Sequence, residues 1–354
     1  LTDHLNFDGE NVIAVRVNHK FPSSRWYSGS GIYRDVHLTI TDDIHVDHYG
    51  VQVLTPNLED QIGEEVDVEV NADIKNESSD KVNASVKQSI RKKGSEDIIV
   101  SAQSDALEIN ADDSVSTSVS LTINDPALWS LSNPQLYEIV TEVIKDDKVV
   151  DEYVTDYGFR TFEFKPDTGF YLNGEPVKIQ GVSMHSDQGA LGAEAHDRAM
   201  ERQVEILADM GVNAIRVTHN PAADELIEIA NREGMLIIDE AFDTWIASKN
   251  GNHHDYASWF EKPIGDNNPL LGATADMTWA EFDIKTMVRR GINAPSIISW
   301  STGNEVMEGN SGPYNEYPDI LEQLITWVKE VDQTRPATIG DNKFKANWNE
   351  STRF

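Results

Sequence analysis

Cysteine is absent from all 354 residues of the sequence. The chain therefore has no disulfide framework, no thiolate nucleophile and no cysteine-ligated metal site. It also lacks a run of about 18 apolar residues, and its first residues do not combine a basic stretch with an apolar one. The sequence thus predicts no membrane insertion, and an export signal upstream of residue 1 stays open.

Positive charge is scarce. The sequence holds 29 Lys and Arg residues against 61 Asp and Glu residues, which gives a formal net charge of −32. Such a charge repels the phosphates of nucleic acids and anionic lipid surfaces. We therefore expect no nucleic-acid partner, and the acidic excess is typical of a well-solvated surface.

The length of the chain favours more than one domain. In residues 1–44, apolar and polar residues alternate around Val12–Val17 and again in DVHLTIT, which predicts antiparallel strands of a β-sandwich. Residues 45–157 alternate more regularly, as in EVDVEVNADI and SVSTSVSLTI, between turns such as NESSD and KKGSED. This pattern predicts a second β-sandwich of immunoglobulin-like size, with a spacer role.

After Pro166, helical stripes alternate with short apolar strands. The strands are VKIQGV, NAIRVT, MLIIDE, SIISWS and PATIG. We predict that residues 158–354 form the first five βα units of a (β/α)8 TIM barrel, which has eight such units. An open doubly wound sheet is the alternative, but the QGVSMHSDQGALG segment lacks the glycine spacing of a nucleotide-binding fingerprint.

Polar side chains follow four consecutive strands of this predicted barrel. Functional groups of such barrels project from the carboxyl ends of the strands, so these residues predict one convergent site. A single histidine is more often structural, and the acidic pair after the third strand is equally compatible with salt bridges at the barrel rim. The residues concerned are His185, Asp187, His219, Asn220, Asp239, Glu240, Asn304 and Glu305.

The chemistry of this site is that of carboxylates, because the sequence has no GxSxG, HExxH or P-loop motif. Glu305 emerges from the apolar SIISW strand and is the candidate proton donor to a leaving group. Glycoside hydrolysis uses such a donor together with a second carboxylate, about 5 to 5.5 Å away when stereochemistry is retained.

Five separated motifs resemble glycoside hydrolase family 2, which includes β-galactosidases, β-glucuronidases and β-mannosidases. They are SRWYSGSGIYRDVHL, FYLNGEPVKIQGVSMH, GVNAIRVTHNP, GMLIIDEAFDTW and PSIISWSTGNE, in this order. SDQGALG and EAFDTW are most similar to the large β-galactosidases of Gram-positive cell surfaces. The resemblance implies a jelly-roll sugar-binding domain, of which residues 1–44 are the last part, an immunoglobulin-like domain and a retaining catalytic barrel.

The resemblance also implies roles for individual residues. Glu305 matches the acid/base residue of the family, and Asn304 matches the asparagine that binds the 2-hydroxyl of the sugar. His219 and His185 match histidines that line the pocket of the terminal sugar. Arg25 resembles a residue that reaches into this pocket from the first domain.

Further expectations concern the remaining sugar contacts and the metal. Asp187 and Glu240 are candidate sugar-binding residues, and Trp245 is a candidate aromatic platform, although packing is the commoner role of a tryptophan. Some members of the family bind magnesium through a Glu-x-His pair after the DEA motif, where this chain has Thr244 and Ile246. We therefore predict no metal and no other cofactor.

The substrate predicted from the resemblance is a β-galactoside, and a carbohydrate is the only partner expected. A β-glucuronidase and a non-catalytic carbohydrate-binding surface protein are the alternatives. The resemblance favours an extracellular or cell-surface location, and a cytoplasmic one stays possible. Oligomeric state is open.

The family's nucleophile lies on the seventh barrel strand, whereas the sequence contains only the first five predicted strands. We therefore expect these 354 residues to be a piece of a longer enzyme that does not hydrolyse nitrophenyl β-galactoside by itself. Release of nitrophenol by the purified chain at a rate well above the uncatalysed reaction would contradict this expectation.

Overall fold

A β-sandwich and a parallel sheet follow one another along the chain. The computed structural model describes residues 2–26, 30–268, 270–309 and 317–341. The predicted barrel range continues to residue 354, and residues 342–354 lie outside the described part.

Eight strands form the sandwich. One sheet has the order β1-β2-β6, and the other has the order β4-β3-β7-β8 with β5 also paired to β3. The strands are β1 Ile44–Leu54, β2 Glu65–Asn76, β3 Val82–Lys92, β4 Ile98–Gln103, β5 Leu107–Ile109, β6 Asp113–Asn124, β7 Tyr137–Lys145 and β8 Lys148–Tyr157.

Alternation of buried and exposed residues explains this sandwich. In the antiparallel β2/β6 pair, Val68 stands opposite Leu121 and Val70 opposite Val119, and all four side chains are buried. The residues between them face solvent, so each sheet has one wet face and one face in the core. The predicted β-sandwich is therefore confirmed.

Five parallel strands form the second sheet, in the sequential order β12-β13-β14-β15-β16. Strand order never reverses, as it would at the switch point of a doubly wound sheet, so these strands agree with a partial barrel. A small antiparallel sheet, β11-β10-β9, precedes them. The strands are β9 Phe162–Lys165, β10 Gly169–Leu172, β11 Glu175–Val177, β12 Gly181–His185, β13 Ala214–Thr218, β14 Leu236–Glu240, β15 Ile297–Asn304 and β16 Ala337–Gly340.

Helices connect the parallel strands. They are α1 Asp197–Asp209, α2 Asp224–Glu233, α3 Trp279–Gly291 and α4 Tyr317–Val331. Single 3-10 turns occupy Thr2–His4, Leu58–Asp60, Gly189–Leu191, Tyr256–Ser258 and Met307–Gly309.

Helix α2 shows which local patterns determined the helix ends. Gly234 ends it in a left-handed conformation with φ of 72°, which glycine adopts readily. Its N-cap is Ala223. The side chain of Ala223 cannot accept a hydrogen bond, so the acidic first-turn residues Asp224 and Glu225 supply the favourable charge at this end.

Residues 2–43 differ from the prediction. The Val12–Val17 and DVHLTIT runs form no strands, and Thr2–His4 is the only element assigned to the described residues before β1. Val12 is 81% exposed and Ile40 is 85% exposed. A strand needs a neighbour that takes its hydrogen bonds and covers its apolar face, and neither run pairs with another described strand. The predicted jelly-roll strands are therefore wrong for this structure.

The sandwich contacts the amino-terminal ends of the barrel strands. Trp129 is fully buried and donates its indole N–H to the carbonyl of Asn231, at 2.7 Å. Arg160 donates to the carbonyl of Ile297, the first residue of β15, at 2.7 Å. These contacts leave the carboxyl ends of β12–β15, where the predicted site lies, uncovered by the sandwich.

A buried ion pair closes the same amino-terminal end behind α4. Asp332 accepts hydrogen bonds from the indole of Trp300 and from Arg335, both at 2.8 Å. Arg335 also donates to the carbonyls of Ala294 and Ile297. Burial raises the pKa of Asp332, but the charge of Arg335 and the donated hydrogen bonds outweigh this effect and lower it to about 2.

Asp332→Asn tests this pair. Because the folded-state pKa lies below the ordinary 3.8, ionised Asp332 stabilises the fold above pH 4 and this contribution is lost as the pH falls through 2. Its full size is about 2 kcal/mol, at 1.36 kcal/mol per pKa unit. We expect the difference in unfolding free energy between wild type and variant to shrink by about 1 kcal/mol from pH 5 to pH 3. Urea unfolding followed by tryptophan fluorescence measures it, and parallel pH curves would contradict the assignment.

Candidate active site

The carboxyl ends of β12–β15 bring most of the predicted polar residues to one place. His185 ends β12, and His219 follows β13 directly. Their rings meet edge to face with centroids 5.2 Å apart. Glu240 ends β14 and Asn304 ends β15. Parallel strands in sequential order place these four residues on one edge of the sheet.

Glu240 is the hub of the site. It is completely buried, and its Oε2 accepts from Nε and Nη2 of Arg216 at 3.0 and 2.6 Å and from the hydroxyl of Ser301 at 2.7 Å. Oε1 accepts from Nδ1 of His219 at 2.7 Å. Both carboxylate oxygens are thus taken by the protein. These contacts orient Arg216 and His219, and sugar binding by Glu240 itself stays a prediction.

Asn304 links this hub to a second carboxylate. Its side-chain oxygen accepts from Nη2 of Arg216 at 3.0 Å, and its side-chain NH2 donates to Oδ1 of Asp243 at 3.0 Å. The amide is therefore oriented from both sides, and Asn304 is buried. An oriented amide of this kind holds a substrate hydroxyl with little further loss of side-chain entropy.

Asp243 gathers three donors on one oxygen. Besides Asn304, Arg25 donates at 2.9 Å and Lys249 at 2.8 Å. Burial raises the pKa of Asp243, but hydrogen bonds and charges from Lys249, Asn304 and Arg25 together hold it below its ordinary value. Arg25, which belongs to residues 2–43, thus reaches the strand-end residues through this carboxylate.

The neighbour of Arg25 also reaches the site. Trp26 lies 4.8 Å from the ring of His185 and 5.0 Å from that of His219, between ring centroids. The guanidinium of Arg25 stacks on the Trp26 indole, 4.5 Å from the ring centroid. Trp26 is 38% exposed, so this ring, and not Trp245, offers an accessible aromatic surface beside the histidines. Burial lowers the pKa of His185, and the neighbouring His219 lowers it further.

Glu305 differs from every other carboxylate of the site. Its backbone has φ of 42°, in the left-handed region, and its N–H donates to the carbonyl of Gly340 at 2.6 Å. Its side chain is half-buried, and within the described ranges no hydrogen bond or ion pair to it is present. A non-glycine residue in this region costs of order 1 kcal/mol and is frequent at functional sites.

Two other predicted residues, Trp245 and Asp187, lie away from these groups. Trp245 is fully buried and donates its indole N–H to the carbonyl of Thr302 at 3.0 Å, so it has no face for a sugar and packs in the core. Asp187 is exposed, and its carboxylate accepts from the N–H of Gly189 at 2.9 Å, which stabilises a turn.

Asp239 resolves the alternative left open for the acidic pair after β14. It is completely buried and forms an ion pair with Arg290 at 3.0 Å, while its other oxygen accepts from the N–H of Ala222 at 2.8 Å. Asp239 is therefore the salt-bridged rim residue, whereas Glu240 faces the site.

A cavity of about 520 Å³ opens beside His219. Its walls come from the first segment, from the loop after β14 and from α3. They include Trp26, Tyr33, His219, Phe242, Asp243 and Tyr256. The size suits a small ligand. His219 and Asp243 connect this cavity to the strand-end residues, whereas His185, Asn304 and Glu305 do not line it.

Metal and membrane binding have no support in the described part of the chain. No group of three or more His, Asp or Glu side chains there is arranged to hold a metal ion, so the absence of a metal stays a prediction. No helix among these residues is long and apolar enough to cross a membrane.

The sequence pattern did not single out four residues of this site: Trp26, Arg216, Asp243 and Lys249. A lone arginine inside the apolar NAIRVT strand was an available signal, because a buried guanidinium requires a carboxylate partner. The other three lie inside or after quoted motifs but carry no spacing that marks them.

Comparisons with known proteins identify the family of the chain. The chain matches the sequence model of the TIM barrel domain of glycosyl hydrolases family 2 over residues 164–352, and a second model of the same family over residues 44–160. It is 36% identical to a β-galactosidase, BoGH2A, of Bacteroides ovatus, over 97% of this chain and 41% of that protein. It is 26% identical to a β-glucuronidase of Bacteroides fragilis, over 97% of this chain and 47% of that protein.

A solved structure of a glycosyl hydrolase family 2 member from Bacteroides cellulosilyticus superposes with a TM-score of 0.82 at 34% identity, over 93% of this chain and 39% of that one. The chain thus spans less than half the length of the relatives named here. A particular likeness to surface enzymes of Gram-positive bacteria stays a prediction. Because the barrel profile alone covers more than half of the chain, the chain belongs to glycosyl hydrolase family 2.

Proposed function

We propose that the full-length protein hydrolyses terminal β-D-galactosides with retention of configuration, and that Glu305 is its acid/base residue. The observation that carries this proposal is the contrast between carboxylates. Both oxygens of Glu240 and one oxygen of Asp243 accept hydrogen bonds from protein donors, whereas the side chain of Glu305 accepts none from the described residues and is half-buried. A proton donor must exchange protons with substrate and water, so it cannot be held in a permanent ion pair.

The mechanism follows from this arrangement. In the first step Glu305 protonates the glycosidic oxygen while a carboxylate attacks the anomeric carbon and the aglycone leaves. In the second step Glu305 removes a proton from water, which attacks the glycosyl ester. Asn304 and His219, oriented by Arg216 and Glu240, bind the hydroxyls of the sugar throughout. No described residue is assigned as the nucleophile.

The charges of the site support a neutral sugar. Three cations, Arg25, Arg216 and Lys249, are committed to Asp243 and Glu240. Binding a glucuronate would require a cation without a carboxylate partner, and the formal net charge of −32 on these 354 residues disfavours the approach of an anionic substrate. A β-glucuronidase is the second candidate, because relatives with that name match the chain as extensively as a β-galactosidase does.

A substrate panel tests the sugar. The full-length protein should cleave nitrophenyl β-D-galactoside with a kcat/KM at least about 100-fold above that for nitrophenyl β-D-glucuronide, since burying an unpaired carboxylate costs several kcal/mol. NMR of the first product should show the β-anomer. The reverse preference would establish the glucuronidase, and no cleavage of either would favour a non-catalytic binding protein.

Glu305→Gln tests the acid/base assignment. Loss of the proton donor should lower kcat/KM by about 100-fold or more for methyl or sugar aglycones, which need protonation to leave. Dinitrophenyl glycosides, whose leaving group needs no proton, should lose far less in the first step. Glu308→Gln, three residues further along at a buried position, is the matched control for local packing. Equal losses for all aglycones would remove Glu305 from this role.

A further inference from the structure

A lysine ammonium lies inside the site. Lys249 belongs to the loop after β14, and its side chain is 4% exposed. Its Nζ donates to Oδ1 of Asp243 at 2.8 Å and also to the backbone carbonyl of Asn304. The Lys249 backbone is held as well, because its N–H donates to Oδ2 of Asp255 at 3.1 Å. The ammonium therefore has a defined position.

The contact with the Asn304 carbonyl acts on Glu305. The carbonyl of Asn304 and the N–H of Glu305 belong to the same peptide unit. Lys249 binds the carbonyl side of this unit, and the carbonyl of Gly340 accepts from its N–H side at 2.6 Å. A peptide unit held at both ends cannot rotate freely, so these two contacts fix the left-handed φ of 42° at Glu305.

The charge of Lys249 also reaches the carboxylates around it. Burial lowers its pKa, and so does Arg25, whereas Asp243 and the more distant Glu305 raise it. The ammonium of Lys249 thus interacts with Glu305 over a longer range while it is bound directly to Asp243. Removing it would leave Asp243 with Arg25 as its remaining ionic partner.

The same loop is where some family members are expected to hold magnesium. The two corresponding positions here are Thr244, which is buried, and Ile246, which has no ligating atom. The nearby carboxylate, Asp243, already binds two cationic side chains. A divalent ion placed there would be repelled by both, so the residues present do not fit a metal.

We propose that Lys249 is the resident cation of this active site and a positioning residue for Glu305. It binds the carbonyl of Asn304 and so holds the peptide unit between Asn304 and Glu305 in place as a clamp. This inference rests on the proposed acid/base role of Glu305, but the clamp itself is a structural statement and is testable without activity.

Lys249→Met and Lys249→Arg in the full-length protein test the proposal. Lys249→Met should lower kcat/KM by about 10- to 100-fold for alkyl aglycones, the range for losing a positioning partner. It should affect dinitrophenyl glycosides much less and leave KM nearly unchanged.

Lys249→Arg should recover part of the loss, and added methylammonium should partly restore the activity of Lys249→Ala. Chelation should not change wild-type activity. Lys262→Met, an exposed lysine stacked on Trp259, is the matched control.

A crystal structure of Lys249→Met supplies the second readout. We expect the Asn304–Glu305 peptide to rotate and φ of Glu305 to leave the left-handed region. An unchanged peptide, or an equal loss for all aglycones without rescue by arginine or methylammonium, would overturn the role of Lys249 even if Glu305→Gln behaves as an acid variant. If wild type cleaves no glycoside, the proposed function fails while the crystal structure still decides the clamp.

Discussion

The buried ion pair between Arg216 and Glu240 is the interaction on which the arrangement of the site depends. Glu240 is completely removed from solvent, and an unpaired carboxylate there would cost several kcal/mol. Arg216 compensates this charge from the neighbouring strand and, through the same guanidinium, reaches Asn304 on the next strand but one. His219 takes the remaining oxygen. This one ion pair thus connects three neighbouring strands. Its members also orient Asn304 and His219, the groups proposed to bind the sugar.

How much of this site could be predicted from the sequence follows from what local patterns encode. Apolar runs that end in polar residues located the strand ends correctly, because parallel strands in order place their last residues on one edge. Patterns cannot show which carboxylate is saturated. Glu240 ends one apolar strand and Glu305 directly follows another. Only the ion pair with Arg216, which the sequence does not reveal, distinguishes Glu240 from Glu305. Lys249 was not predictable, because its contacts join a loop to a strand 55 residues away.

Residues 2–43 also show that local patterns do not determine tertiary contacts. Its alternating residues carry the pattern of strands, yet Val12 and Ile40 remain exposed, because strand formation depends on partners and not on alternation alone. Arg25 and Trp26 nevertheless reach the site. Their positions are determined by specific contacts, a carboxylate for the guanidinium and two imidazole rings for the indole. In residues 2–43, the alternating pattern therefore fails to predict strands, while the tertiary contacts of Arg25 and Trp26 with the site are formed nevertheless.

The remaining question is why Glu305 differs from Glu240 and Asp243, the two carboxylates beside it that accept several hydrogen bonds. Glu305 combines a left-handed backbone with a carboxylate that has no described partner, and both features lower stability. The contacts that hold it, from Lys249 and Gly340, act on its backbone and leave its side chain free. An acid/base residue needs this combination, because its position must be fixed while its proton remains exchangeable. Of the carboxylates described at the site, Glu305 is thus the one that combines a left-handed backbone with a side chain that accepts no described hydrogen bond.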